Sequence, residues 1–114
     1  MGTPDIAVPT LIKLAERYDI VSVVTIPDKP KGRGLKVVPS PVKTAAEELN
    51  IPVLQPVNLR DTTFIDRIKN LVPDIIVVFA FRFLPKEIYT LSKISSFNIH
   101  TSLLPDYRGA APIN

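Results

Sequence analysis

Between Ala7 and Tyr18 the apolar positions Val8, Leu11, Leu14 and Ala15 recur at helical spacing, and Pro9 falls where a first turn tolerates it. A helix is predicted there. Ile20 to Ile26 is rich in β-branched residues and stops at Pro27, which suits a short buried parallel strand. The periodicity then lapses: residues 27 to 41 hold four prolines and two glycines, so a long connection is expected instead of a regular element. Within a compact domain such a length is usually functional or disordered. Ser40 and Pro41 suit the N-cap and first turn of a helix running to about Leu49, ended by Asn50 and Pro52, and Val53 to Gln55 reads as a minimal strand. Asp61 can cap a helix carrying Phe64, Ile65 and Ile68 as far as about Asn70, with Pro73 beyond it. Ile75 to Phe81 is the clearest strand, seven consecutive apolar residues between Asp74 and Arg82. A short helix from Pro85 to about Leu91 and a strand from about Ser96 to His100 follow.

Helix and strand thus alternate along the chain, which predicts an α/β fold: a parallel sheet with helices on both faces and right-handed connections. Ligands of such folds bind beyond the carboxyl ends of the strands. The opening Met1-Gly2-Thr3-Pro4 turn leads straight into a helix, so the sheet is expected to lack its first strand. At 114 residues one domain is expected.

Composition narrows the chemistry. There is no apolar run of the roughly 18 residues that a membrane span requires, and no signal-peptide pattern at the amino terminus. Without cysteine there are no disulfides or thiolate ligands, and one histidine cannot build a histidine-rich metal site. A cytoplasmic protein is the expectation. The net charge of +3 is unevenly spread. Lys29, Lys31, Arg33, Lys36 and Lys43 face the single acid Asp28 in one stretch, leaving nine cations against ten anions elsewhere. A glycine- and proline-containing basic segment of this kind can follow a phosphate backbone while reading little sequence, although a solvated surface loop has the same composition.

Asn98 and His100 stand two apart on a predicted strand, so both side chains leave one face near its carboxyl end. An amide donor beside a proton-moving imidazole suits acyl transfer. On spacing alone, a capping Asn and a structural His are the commoner outcome. Phe81-Arg82-Phe83-Leu84 follows the strongest strand and either lines an apolar pocket or contributes its aromatics to the core. Thr101 to Asn114, TSLLPDYRGAAPIN, taken alone reads as a loop with a helix start, and neither phosphate-loop fingerprint occurs anywhere.

Taken together, GTPDIAVP, PDKPKGRG, PSPVK, IPVLQP, PDIIVVFA, LPKEI, NIHTSLLP and YRGAAPIN make the chain similar to the folate-dependent formyltransferases over nearly its whole length. Asn98-Ile99-His100 followed by Ser102-Leu103-Leu104-Pro105 resembles their active-site signature, and PDKPKGRG with PSPVK resembles the branch that formylates initiator methionyl-tRNA. The resemblance implies a Rossmann-like catalytic domain over residues 1–114, present in part, its carboxy-terminal portion and a following β-barrel domain missing. It implies 10-formyltetrahydrofolate as co-substrate, without a metal. Asn98 and His100 would be catalytic, with Phe81, Arg82, Phe83, Leu84, Ser102, Leu103, Leu104 and Pro105 at the folate. Lys29, Lys31, Arg33, Lys36 and Lys43, in the loop 27–43, would contact tRNA. The family's catalytic Asp, a few dozen residues beyond the Asn-x-His pair, is not reached, so the chain alone is expected to be inactive. Many members acting on tRNA have a Tyr-Gly pair where this chain has Arg82 and its neighbours. An arginine there resembles the branches acting on glycinamide ribonucleotide or amino sugar nucleotides, which keeps a small-substrate formyltransferase as an alternative, beside a non-catalytic remnant.

Overall fold

The computed structural model describes residues 1–31, 36–99 and 110–112. The chain divides into two compact units, Gly2–Val57 and Asn58–Asn114, with Met1 joining the second.

In the first unit, a 3-10 turn at Asp5–Ala7 runs into helix α1, Val8–Arg17, with Pro9 in its first turn as the sequence predicts. Helix α1 packs against α2, Pro41–Glu48. Ser40 starts α2 by accepting a hydrogen bond from the Lys43 amide at 3.1 Å, filling one of the donors a helix start leaves open. Val42, Ala45 and Ala46 form the buried face of α2. Asn50 adopts a left-handed φ of 58°, a conformation Asn tolerates well, and so turns the chain out of the helix. The predicted strand Ile20 to Ile26 pairs only over β1, Val23–Val24, set in parallel against β4, Val53–Leu54. A parallel pair needs a long crossover, and the stretch containing α2 supplies it. On the other side of β1 the Gly2 amide donates to the Val24 carbonyl at 3.0 Å.

Residues 27–41 depart from the expected irregular connection. Lys29–Lys31 (β2) and Lys36–Val38 (β3) form an antiparallel hairpin, in register Lys29↔Val38, Pro30↔Val37 and Lys31↔Lys36. All of β3 is exposed, so no alternation of buried and open positions exists for the sequence to display. The residues joining the two strands, 32–35, lie outside those described.

The second unit begins with helix α3, Thr62–Leu71, whose cap is Asp61: its Oδ1 accepts from the Thr63 amide at 3.2 Å. Phe64 and Ile68, four apart, are its buried residues, and Val72 ends it in a left-handed conformation. Strand β5, Ile75–Phe79, pairs in parallel with β6, Ser95–Ile99, from Ile75↔Ser95 to Phe79↔Ile99. The connecting stretch includes helix α4, Lys86–Tyr89. Strand β5 is two residues shorter than its apolar run because Ala80 turns left-handed, with φ 49°, and takes Phe81 out of the ladder. A third strand, β7, Ala110–Pro112, lies antiparallel to β6, where the sequence suggested a helix start. Along β5, the Phe79 amide donates to the Met1 carbonyl at 2.8 Å. The architecture is α/β with parallel strand pairs, as predicted. Among the described residues no helix is long and apolar enough to cross a membrane.

Candidate functional site

Ala80 decides what happens at the carboxyl end of β5. Its positive φ releases the chain into Phe81–Pro85, and Pro85 then opens α4. This segment borders a partly open cavity of about 190 Å³, lined by Val78, Phe81, Arg82, Phe83, Leu84, Tyr89 and Asn98. Pockets that enclose a whole drug-sized ligand hold roughly 300–1,000 Å³, so this one is sized for one ring or one end of a larger molecule.

Each wall has a local cause. Val78 and Asn98 are direct partners in the parallel ladder, which places them side by side on adjacent strands. Asn98 is half-buried. Leu84, 6% exposed, and Ile88, fully buried, anchor the loop and α4 to the core. Tyr89 is held from behind: the buried Ser96 hydroxyl donates to the Tyr89 carbonyl at 2.6 Å and shares a 2.9 Å hydrogen bond with Ser92. The Arg82 guanidinium lies over the Phe81 ring, 5.0 Å from its centre, a stacking that holds a cation against an aromatic face. Phe83 is 87% exposed, so the reading of both aromatics as core fails for it. A large apolar side chain held open at a cavity mouth is a candidate contact surface for a flat ring.

The sequence-predicted residues Phe81, Arg82, Phe83 and Leu84 therefore meet Asn98 around one cavity. His100, Ser102, Leu103, Leu104 and Pro105 lie outside the described residues. Val78 and Tyr89 also line the cavity, and sequence reasoning missed them. Val78 was hidden in an apolar run, and its role depends on the register with Asn98; Tyr89 carried no signal beyond its place on a short helix. Among the described residues no three His, Cys, Asp or Glu side chains converge as a metal site would require.

The basic residues separate into two groups. Lys29 and Lys36 are exposed on the hairpin, and Lys31 lies on β2; Arg33 falls outside the described residues. Lys43 is different. It belongs to the first turn of α2, and its Nζ meets Asp28 Oδ2 at 2.8 Å, while Gln55 Nε2 donates to Asp28 Oδ1 at 2.7 Å and to the Ile26 carbonyl at 3.1 Å. The Lys43 hydrogen bond first, and the Gln55 one second, hold the Asp28 carboxyl below its ordinary value, with burial opposing them. Lys43 is raised, chiefly by the same bond to Asp28.

The signs give a pH expectation. A lowered Asp28 contributes stability above its ordinary value of 3.8 and loses that contribution as pH falls through the lower folded value. A raised Lys43 contributes below its ordinary 10.5 and loses it as pH climbs through the higher folded value. Asp28→Ala should therefore be less stable than the parent at neutral pH, and the gap in urea midpoint should close as pH drops below 3.8. A gap that stays constant into acid would mean the pair does not stabilise the fold.

Comparison with known proteins adds the lineage. The sequence matches the formyl transferase family over residues 6–114. It is 64% identical to the methionyl-tRNA formyltransferase of Clostridioides difficile (strain 630), with all of this chain and 38% of that protein covered. It is also 55% identical to the protein of the same description from Geobacter sulfurreducens, covering 37% of it, and 50% identical to that from Bacteroides thetaiotaomicron, covering 36%. In each case the whole chain is matched, and it spans little more than a third of the relative's length.

Proposed function

The chain belongs to the formyl transferase family, and from that membership we propose that it is part of the catalytic domain of an enzyme moving a formyl group from 10-formyltetrahydrofolate to the α-amine of methionyl initiator tRNA. The folate supplies the formyl group. Phe81, Phe83, Leu84 and Tyr89 offer aromatic and apolar walls that suit a flat ring, and the Asn98 amide stands among them. Ser102, Leu103, Leu104 and Pro105 complete the folate contacts in this reading.

As the amine nitrogen bonds to the formyl carbon, the carbonyl oxygen takes up negative charge. Asn98 donates a hydrogen bond to that oxygen, where a preorganised donor is worth most. His100 takes the proton the attacking amine must lose and returns one to the folate nitrogen as the old carbon–nitrogen bond breaks. Nothing in this scheme is oxidised or reduced.

The observation that carries the choice of tRNA over a small substrate is the basic hairpin. The chain's positive excess is gathered on and around β2 and β3, with Lys29 and Lys36 open to solvent. A small amine substrate gives no reason for such a structure, whereas a phosphate backbone does. The alternative substrate class rests on Arg82, whose guanidinium at the cavity could meet a substrate phosphate.

In the intact enzyme, replacing Lys29, Lys31, Arg33 and Lys36 together by Ala should weaken tRNA binding and flatten its salt dependence. The slope of log K against log salt should fall by about 0.7–0.9 for each phosphate contact removed. An unchanged slope would exclude the hairpin as a tRNA contact. If that variant kept its tRNA binding while Arg82→Ala lost activity on a phosphorylated small amine, the alternative would take its place.

A further inference from the structure

Charge alone would put Lys43 with the other cations on the nucleic acid, but its geometry gives it a different task. The Lys43–Asp28 ion pair joins residues 15 apart, and so does the 2.7 Å hydrogen bond between the Thr25 and Ser40 hydroxyls. Both links tie the stretch between β1 and the hairpin to the segment leaving the hairpin. The hairpin β2–β3 lies wholly between them in sequence. Thr25 is fully buried and Ser40 is 7% exposed, and Ser40 also caps α2, so the inner link is set in the core. The outer link is shielded but not sealed, with the Lys43 and Asp28 side chains 19% and 28% exposed.

Gln55 makes the outer link a three-way junction. Following β4, it holds the second Asp28 oxygen and the Ile26 carbonyl, and thereby fixes the approach to β2 against the unit's parallel strand pair. Asp28 thus has one oxygen on α2 and the other on the residue after β4. A two-stranded hairpin is marginal by itself and needs such anchorage to keep one orientation.

Resting on the tRNA reading above, we infer that Asp28, Lys43 and Gln55 form a clamp that positions the basic hairpin for tRNA, so that Lys43 is a positioning residue and not a phosphate contact. The apparent affinity is the intrinsic one multiplied by the fraction of time the hairpin is correctly placed. Loss of either charged partner of the clamp therefore acts in the same direction, although one is a cation and the other an anion.

That sign is the test. In the intact enzyme, Asp28→Ala and Lys43→Met should each raise the KM for methionyl-tRNA on the order of fivefold to tenfold, with kcat within about twofold, and the double variant should be no worse than the worse single one. A direct phosphate contact by Lys43 predicts otherwise: removing the nearby acid would leave tRNA binding unchanged or tighten it. An unchanged or lowered KM for Asp28→Ala overturns the proposal.

Two further measurements separate this from failure of the tRNA reading. Hydrogen exchange at the backbone amides of Lys29, Lys31 and residues 36–38 should quicken in both single variants without tRNA, and unaltered exchange also overturns the clamp. Arg33→Ala should weaken tRNA binding with the clamp intact. Faster hairpin exchange together with an unaffected Arg33→Ala would support the clamp while removing tRNA as the molecule it serves.

Discussion

Replacing Asn98 by Ala in the intact enzyme should lower kcat by roughly 10²–10³, about 2.7–4 kcal/mol of barrier, while folate binding stays near that of the parent. The size follows from when the interaction matters. Asn98 is half-buried on β6 and faces a cavity of about 190 Å³ walled by aromatic and aliphatic side chains, where a donor is worth more than in water. In the proposed reaction the formyl oxygen is neutral before attack and carries charge afterwards, so a donor there contributes mainly in the transition state and its loss appears in kcat. The fold should survive, since the strand is held by its ladders: Asn98 pairs through its backbone with Val78 on one side and Ala111 on the other. The decisive measurement is single-turnover formyl transfer at saturating folate, alongside folate affinity. A variant with the parent's turnover would remove Asn98 from the chemistry. Loss of folate affinity with turnover retained would make it a binding residue.

The largest effect on stability is expected at Ile88. Its side chain is fully buried, and α4 is only four residues long. Helices that short do not form by intrinsic preference and persist through their packing. Ile88→Ala should therefore cost about 2–5 kcal/mol, the range for truncating a buried aliphatic side chain, with the upper part reached if the void cannot collapse. Because Leu84 and Tyr89 flank Ile88 and line the cavity, folate affinity should fall as well. Denaturant midpoints and folate titrations on the same variant check both statements. A stable variant with normal affinity would show that α4 is held by its backbone links alone, including the Ser96 hydroxyl on the Tyr89 carbonyl.

The features legible beforehand are those governed by near neighbours. Ser40 and Asp61 cap the helices they were expected to cap, because a cap joins atoms two or three residues apart. The helix through Val8 and the strands around Val23, Val53 and Val77 also stand where periodicity and β-branching put them, though shorter, and the strand around Phe97 starts one residue earlier than expected. Pairing exposes the limits. The hairpin is polar or open on both sides, and its strands are defined by a ladder with each other, which hydropathy does not encode. Strand β7 depends on the edge of β6, more than ten residues earlier in the chain.

Lys43 marks the same boundary within the functional residues. By composition it is one of five cations in a basic stretch; by position it is the partner of an acid 15 residues away that is also held by a glutamine 27 residues from it. The α/β class, the aromatic run after the strongest strand and the concentration of positive charge were set by residue types and short-range spacing, and Asn98 became a catalytic candidate only through the family resemblance. Tertiary structure alone decided that Ala80 ends β5, that Val78 and Tyr89 join Asn98 at the cavity, that Phe83 is open and that Lys43 turns inward. The reason is physical: caps and periodic faces depend on contacts a few residues apart, whereas register, exposure and the partner of a charge depend on which distant segments the fold brings within about 3 Å of one another.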